Sequence, residues 1–518
     1  MNLISECWIP VRRADGSRQR IAPWQLTEAI DDNPILAVAS PRPDFDGALT
    51  QFLIGLLQTT CTPDLFTWRT WRKTPPTPAE LKTRFETVAH AFELEGEKAF
   101  MQDFSPTELD KQFAISALLI GSPPEESETD LFIKQETVKQ LCPHCAATAL
   151  FSLQTDSPEG GRGYRTGLRG GGPLTTLVFG RHLWETCWLN VLEKSRYVFG
   201  ASDSDLLSQD RFPWLKPTRT SEARPPAGVT TPVDVHPDQQ FWPLPRRIRL
   251  LPMETEPTAC DLCGKETQVI YRYFRAKNYG VNYSGFQHPL SPHYVKDNAL
   301  IPAHPQPGGI GYRHWLGLVE CRADGVQKPA RVVEQFRSLT RMDGDLWAFG
   351  YDMKSNKARC WYDARMPILT ISEDMEAVFR DLVTRLVNAA DKVAGDFLRN
   401  SLKTALFGET KVRGDLSFVQ SAFWAETEAP FYDHLRQLRD ILPTDQQARP
   451  ILESWLKTLR AAAFLLFDRH SQTGDFDAVD PGQIARARNA LGKALAGSPL
   501  KEKVLGLPKP QKAKRQKS

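Results

Sequence analysis

Two short cysteine motifs carry the clearest chemistry in the sequence: Cys142-Pro143-His144-Cys145 and Cys260-Asp261-Leu262-Cys263-Gly264. A CxxC turn sets two thiolates on one side of a tight knuckle, and two knuckles supply the tetrahedral four-sulfur set that zinc prefers. Gly264 relieves crowding where the backbone reverses around the metal. A redox dithiol is the rival for a single pair, but neither pair sits in a thioredoxin-like βαβ pattern. Four buried thiols are the plainer alternative. With four cysteines no coordination position stays open, so the zinc expected here is structural and no catalytic residue is assigned. His144 could replace one thiolate, although a solvent-facing side chain is the expectation. Cys7, Cys61, Cys187, Cys321 and Cys360 stand alone and read as core fillers.

Basic residues form the second pattern. They gather at Arg162/Arg165/Arg169, Arg246/Arg247/Arg249 and Arg272/Arg275/Lys277, and along the tail from Lys501 to Lys517, in a chain whose net charge is only +3. Each cluster reads by itself as ordinary surface; four together point to a polyanion whose phosphates they neutralise. Enzyme signatures are lacking: there is no GxxxxGK[ST] loop, HExxH or GxSxG, and the ten histidines are dispersed.

The elements that must position these residues fall into two kinds. A chain of 518 residues exceeds one ordinary core. Its 41% hydrophobic and 25% charged residues suit a globular protein, and no apolar run nears the roughly 18–20 residues that span a bilayer. The N-terminus lacks a secretory pattern, so a reducing cytoplasm is expected, where disulfides are disfavoured. Up to about residue 365, short strand-like runs (Leu174 to Phe179, Gln268 to Tyr271) alternate with helical ones such as Gly47 to Leu57. Dense prolines from Pro213 to Pro252 predict a long surface excursion, and Pro302 to Gly311 another loop. From Thr370 the period is helical: Thr370 and Glu373 have capping-box spacing, and Met375, Val378, Phe379, Leu382, Leu386, Ala389 and Val393 recur on one face. Further helices are predicted over 415–441, kinked or split at Pro430, 446–469 and 480–496. The fold class is therefore α+β: a large, irregular mixed N-terminal domain (1–365) with the zinc site, a four-helix bundle (366–500) and a basic, disordered tail (501–518).

The sequence resembles the CasA family, the large subunit of type I-E CRISPR Cascade complexes. The resemblance rests on Met1-Asn2-Leu3-Ile4 with Trp8-Ile9-Pro10-Val11, Cys142 to Phe151, Tyr164 to Gly171, the second CxxCG, and His288-Pro289-Leu290-Ser291-Pro292. It spans residues 1 to about 365, and the family's helical C-terminal domain matches the segments that follow. It implies a DNA-binding set in this chain. Gly160, Gly161, Arg162 and Gly163 correspond to a glycine loop that reads the PAM, with Arg162 a departure from the pattern. Lys277 corresponds to a lysine finger entering the minor groove, with Asn278 the alternative one residue on. Asn356, Lys357 and Ala358 resemble a wedge that parts the first base pairs. Phe132, Ile133 and Lys134 correspond to a loop contacting guide RNA and DNA. Without the resemblance, these stretches read as a flexible turn, a charged surface strand, a surface turn and a small satellite core.

Such a subunit reads a short motif in double-stranded target DNA, starts strand opening for crRNA pairing and helps recruit a separate helicase–nuclease. The implied partners are the other Cascade subunits, crRNA, PAM-bearing duplex and that effector, with no membrane. The rival class is a zinc-stapled scaffold that binds only proteins; a cryptic nuclease is the third reading.

Overall fold

Proline occupies the first turn of the Pro43–Cys61, Pro143–Asp156 and Pro481–Ala496 helices, where its missing N–H costs nothing and its fixed φ suits the helix. The Pro78–Glu86 helix adds a capping box, Thr77 and Glu80 each bonding the other's backbone N–H. The computed structural model describes residues 1–104, 111–122, 137–158, 163–197, 210–223, 227–322, 325–354, 357–411, 415–442, 447–471 and 480–508. Phe132, Ile133, Lys134, Gly160, Gly161, Arg162 and Asn356 lie outside the described residues. No helix among the described residues is long and apolar enough to cross a membrane.

The chain divides into two compact units. The first comprises Met1–Pro305, Pro329–Thr340 and Gly344–Asp363. One of its sheets places the Ile9–Arg13 strand between Arg18–Ile21 and Ile35–Val38. A second sets Glu266–Lys277 between Lys111–Ala114 and Arg247–Ala259, with Arg275 opposite both Gln112 and Arg249. A third places Gly344–Lys354 between Thr175–Phe179 and the strand beginning at Lys357. Its core is aromatic. Phe52 on the Pro43–Cys61 helix meets Trp8, Phe92, Phe100, Phe151 and Trp242 edge-on at centroid distances of 5.2 to 6.0 Å.

The proline-rich stretch Pro213 to Pro252 is a surface excursion only in its middle, where Arg219, Thr220, Pro232 and Val233 are exposed; its ends are not. Phe212, Trp214, Trp242 and Leu244 are buried, Trp214 donating to Ala91 O (2.7 Å) and Trp242 to Thr59 Oγ1 (2.8 Å), and from Arg247 the chain is a long strand. Proline denies this segment a helix without denying it the core. Of the five isolated cysteines, Cys187 is buried, Cys7 is exposed and the other three are intermediate, so core filling holds only for Cys187.

The second unit comprises Gln306–Lys328, Arg341–Asp343 and Ala364–Ser518. Its first long helix begins at Glu376 rather than Thr370, because Thr370 N–H donates to Asp343 Oδ1 (2.8 Å) and Glu373 pairs with Arg341 (3.2 Å). It continues past Asp391 through a π-turn at Lys392–Leu398 into Arg399–Phe407. Ser417–Ile441 is one helix containing Pro430, not two. Arg449–Ser471 and Pro481–Ala496 follow. Trp455 donates to Leu386 O (3.0 Å), Arg488 pairs with Asp468 (2.7 Å), and Tyr312 stacks on Phe431 at 4.3 Å. Beyond Leu500 the chain stays packed for a stretch, with Leu505 and Leu507 buried.

Candidate metal centre and nucleic-acid interface

Pro143 starts a helix for which Cys142 is the N-cap, so Cys142 and Cys145 stand three residues apart at one helix end. That spacing puts both sulfurs on one face, at the end of the dipole that favours thiolate. The second pair tips a hairpin: Cys260 directly follows the Arg247–Ala259 strand, and Glu266–Lys277 leads away. Gly264 N–H donates to Cys260 O and Cys260 N–H to Lys265 O, both at 2.9 Å, with Gly264 in the left-handed region (φ 69°).

Backbone pairing brings the two knuckles together. Leu141 and Tyr271 exchange N–H···O bonds of 2.9 and 3.0 Å. The Asp261 carboxylate accepts from the N–H groups of Lys139 (2.7 Å) and Gln140 (2.8 Å), and Asp261 N–H donates to Gln140 O (3.2 Å). As a result the Sγ atoms of Cys142, Cys145, Cys260 and Cys263 all lie within 4.8 Å of one another. Cys142 and Cys263 Sγ are 3.7 Å apart. Four ligands at about 2.3 Å in a tetrahedron stand about 3.8 Å from each other, whereas a disulfide needs about 2.05 Å, so the donor set fits a tetrahedral metal. Hydrogen bonds from Cys142 and Cys145 hold the Cys263 thiol well below its usual range and pull Cys260 down to about 6, while bonding to Cys142 drives Cys145 up.

His144 lies outside the four-sulfur cluster and does not face solvent. It is buried, its Nε2 lies 3.2 Å from Lys265 Nζ, and burial, then the Lys265 and Arg20 charges, push its pKa down to about 4. Sequence reading missed Arg20, whose Nη2 donates to Cys263 Sγ (3.6 Å) from a strand 243 residues away. It also missed the clamp made by Asp261, although its place inside the knuckle was a signal.

Several arginines of the basic clusters are internal struts rather than phosphate contacts. Arg169 is buried and bonds Gln51 (2.6 Å), Thr175 (2.8 Å), Asp156 (3.1 Å) and Ser291 (3.3 Å). Burial lowers its pKa and raises that of Asp156 to about 6 against the attraction between them. Arg247 is buried against Asp103 (2.5 Å). Arg246 is buried, donates to Pro158 O and lies over the Tyr164 ring at 5.2 Å. A guanidinium's five donors in a rigid fork let it satisfy buried acceptors, which clustering in sequence cannot reveal. Arg272 and Arg275 remain exposed.

Both ends of the segment whose glycines were singled out are held, one of them by such a strut. Pro158 is held by Arg246, and Gly163 O accepts from Tyr279 N–H (2.6 Å). Gly163 has φ 81°, and a Cβ there would stand 2.7 Å from Asn278 Cβ, so only glycine fits. Lys277 ends the Glu266–Lys277 strand, opposite Arg247. A cavity of about 250 Å³ is lined by Tyr164, Arg246, Phe274, Lys277, Lys357 and Ala358, among others. Gly163 with its neighbour Tyr164, Lys277, Asn278 and Lys357, far apart in sequence, thus share one neighbourhood. Ala358 is different in kind: it is buried in a small core with Ile120 and Tyr351, while Lys357 is exposed.

Residues 2–466 match the family described as CRISPR-associated protein Cse1 (CRISPR_cse1). Among solved structures, the chain is similar to CasA (Cse1) of Thermus thermophilus, with 17% identity, 96% of this chain and 99% of that chain covered, and a TM-score of 0.68. For Thermobifida fusca Cse1 the values are 16%, 98%, 99% and 0.70. For a chain of a CRISPR RNA-guided surveillance complex they are 16%, 96%, 99% and 0.69. At these identities the structural likeness is one of fold.

Proposed function

Because the chain belongs to the family of CRISPR-associated protein Cse1, we propose that it is the large, non-catalytic subunit of a type I-E Cascade surveillance complex. In this reading it recognises the PAM in duplex DNA, begins target-strand opening for crRNA pairing and helps recruit the helicase–nuclease. The observation that carries the reading is that Tyr164, Lys277 and Lys357 line one cavity in the first unit, with Gly163 next to Tyr164 and against Asn278. Each has a part. Gly163, having no side chain, lets its segment close on Asn278 and Tyr279 beside Lys277. Lys277 supplies a long donor for minor-groove acceptors, which A·T and T·A pairs share, so related PAMs are tolerated. Lys357, exposed at the start of its strand, stands where a wedge is needed, and Ala358 anchors it from the core. Asn278 packs against Gly163, which favours Lys277 over Asn278 as the finger.

The metal in this reading is a structural Zn²⁺ held by Cys142, Cys145, Cys260 and Cys263. Bound there it supplies no reaction step; it staples the helix before the glycine segment to the hairpin that ends in Lys277. The helices of the second unit form the family's four-helix bundle, and the glycines 160–161, Arg162, Asn356 and the Phe132–Lys134 loop complete the nucleic-acid surface.

The test measures affinity of the assembled complex, at one salt concentration, for PAM-bearing duplex, PAM-less duplex and a pre-opened bubble. Lys277→Ala should lose about 1–3 kcal/mol on PAM duplex and much less on the other two. Gly163→Ala, which removes no charge but pushes on Asn278 beside Lys277, should weaken PAM duplex selectively as well, with an unchanged melting temperature showing that the fold survives. Equal losses on all three DNAs would reduce Lys277 to a phosphate contact and sink the reading.

A further inference from the structure

The Leu65–Lys73 helix has a rigid inner face and an unusual outer one. Inside, Trp68 is buried, donates its indole N–H to Val191 O (2.9 Å) and accepts from the Trp188 indole at its own carbonyl (2.9 Å). Trp71 packs on Trp188 at 5.1 Å, and the Arg84 guanidinium lies 4.9 Å over its ring. Three tryptophans and an arginine therefore fix the helix in place. Outside, Phe66, Arg69, Thr70 and Lys73 follow at helical spacing and all are exposed. Phe66 is 78% exposed, the largest value for an aromatic ring among the described residues. No acidic residue lies within the helix; Asp64 is its N-cap, bonded to Thr67 N–H at 2.7 Å. Beside this face is a cleft of about 470 Å³, lined by Phe66, Arg69, Lys73, Leu339 and Thr340 among others.

An exposed ring beside two cations, one helical turn apart and about 6 Å along the axis, has the composition of a single-strand track. Phosphates meet the cations while an unstacked base lies on the ring. In duplex DNA the base faces are already stacked and cannot reach Phe66, and a groove for a helical peptide would be lined by aliphatic side chains rather than by cations. We infer that the outer face of the Leu65–Lys73 helix binds single-stranded nucleic acid through Phe66, Arg69 and Lys73. This rests on the proposed function, in which strand opening produces a displaced single strand, and it assigns that strand a surface apart from the Gly163–Lys277 neighbourhood.

The experiment uses the full chain and a fluorescent fifteen-nucleotide dT strand, followed by anisotropy at two salt concentrations. Phe66→Ala should weaken dT binding about 5- to 100-fold, the range that loss of one stacked base produces. The double charge reversal Arg69→Glu/Lys73→Glu should weaken it at least as much and flatten the salt dependence. Both changes are on an exposed face, and unchanged melting temperatures would show that the fold is intact. Wild-type dT affinity in Phe66→Ala overturns the inference, as does a charge-reversal variant that loses poly-glutamate binding while keeping dT binding, which would make the face a site for an acidic protein. Lys277→Ala separates the two readings. Loss of PAM selectivity with dT binding intact supports both. Phe66-dependent dT binding without any PAM selectivity leaves this surface standing while the PAM assignment falls.

Discussion

The two units are held together by contacts of different reach. In the first, bonds at the metal site join residues more than a hundred positions apart, Arg20 to Cys263 and Gln140 to Asp261, and so does the buried strut of Arg247 on Asp103. In the second, Trp455 reaches Leu386 and Arg488 reaches Asp468, partners on helices closer along the chain, with Tyr312 on Thr427 and Phe431 the longer reach. Long loops must close before such distant contacts reward closure, so the first unit is the slower and more conditional fold. A metal holding the two knuckles would compensate for that, and the second unit needs no equivalent.

The largest expected effect follows directly. Chelating the metal, or replacing Cys260 with serine, should cost the first unit more than about 4 kcal/mol, since loss of a metal belongs to the severe class of changes. Hydrogen exchange locates the damage: residues 142–156 and 247–277 should lose protection while 376–407 and 449–471 keep theirs. Pure protein without zinc, or equal loss of protection in both regions, would erase the contrast.

The same difference in reach explains what the sequence made legible. Phe379, Leu382, Leu386, Ala389 and Val393 are all buried as their spacing implies, because a helical face is local information. Val378, read onto that face, is half exposed, and the capping box at Thr370 gave way to Asp343 and Arg341, which no local rule could foresee. The π-turn at Lys392–Leu398 left no signature either. In the first unit the four cysteines were readable because each CxxC is a local motif. Whether an arginine faces phosphate or a buried aspartate depends on partners such as Asp103 and Asp156, so the basic clusters misled. Proline density misled at the two ends of its stretch for a related reason: it reports backbone conformation, not burial, and Trp214 and Trp242 are buried while Val233 between them is exposed.

Acid should sharpen the comparison. In the first unit burial lowers the pKa of His182, His236, His288, His293 and His304, His236 and His293 to about 4. The unfolded chain takes up these protons near 6.5, so each contribution is present above that pH and is lost as pH falls toward 4. Burial also raises Asp46, Asp156 and Asp238 to about 6, which acts oppositely: the folded state binds those protons first and gains stability as pH falls from 6 toward 4. The lowered histidines, His144 among them, outnumber the raised aspartates, so the first unit should lose stability on balance between pH 6.5 and 5. The second unit has fewer such groups, His314 and His470 against Glu428. Exchange protection measured at the two pH values should therefore fall more in the first unit; a larger fall in 376–471 would contradict this balance.

The smallest effect compares one turn from each unit. Gly264 closes the second cysteine knuckle at φ 69°, and Gly408 ends the Arg399–Phe407 helix at φ 81°, its N–H donating to Thr404 O at 3.0 Å. A Cβ at Gly264 would meet nothing within 4 Å, and at Gly408 only the flexible end of Gln483 at 3.5 Å. Neither position is crowded, so alanine should cost only the left-handed backbone penalty, about 1 kcal/mol at each. Asparagine, which tolerates that conformation, should recover part of the loss at both. Denaturant unfolding with and without bound zinc separates turn strain from metal strain. If Gly264→Ala costs several times more than Gly408→Ala, and only when zinc is present, the turn is setting sulfur positions as well as reversing the chain. Equal costs in both states would mean that the four sulfurs are positioned by the Asp261 clamp and the Leu141–Tyr271 pairing, with the glycine doing no more at the metal site than a helix cap does elsewhere.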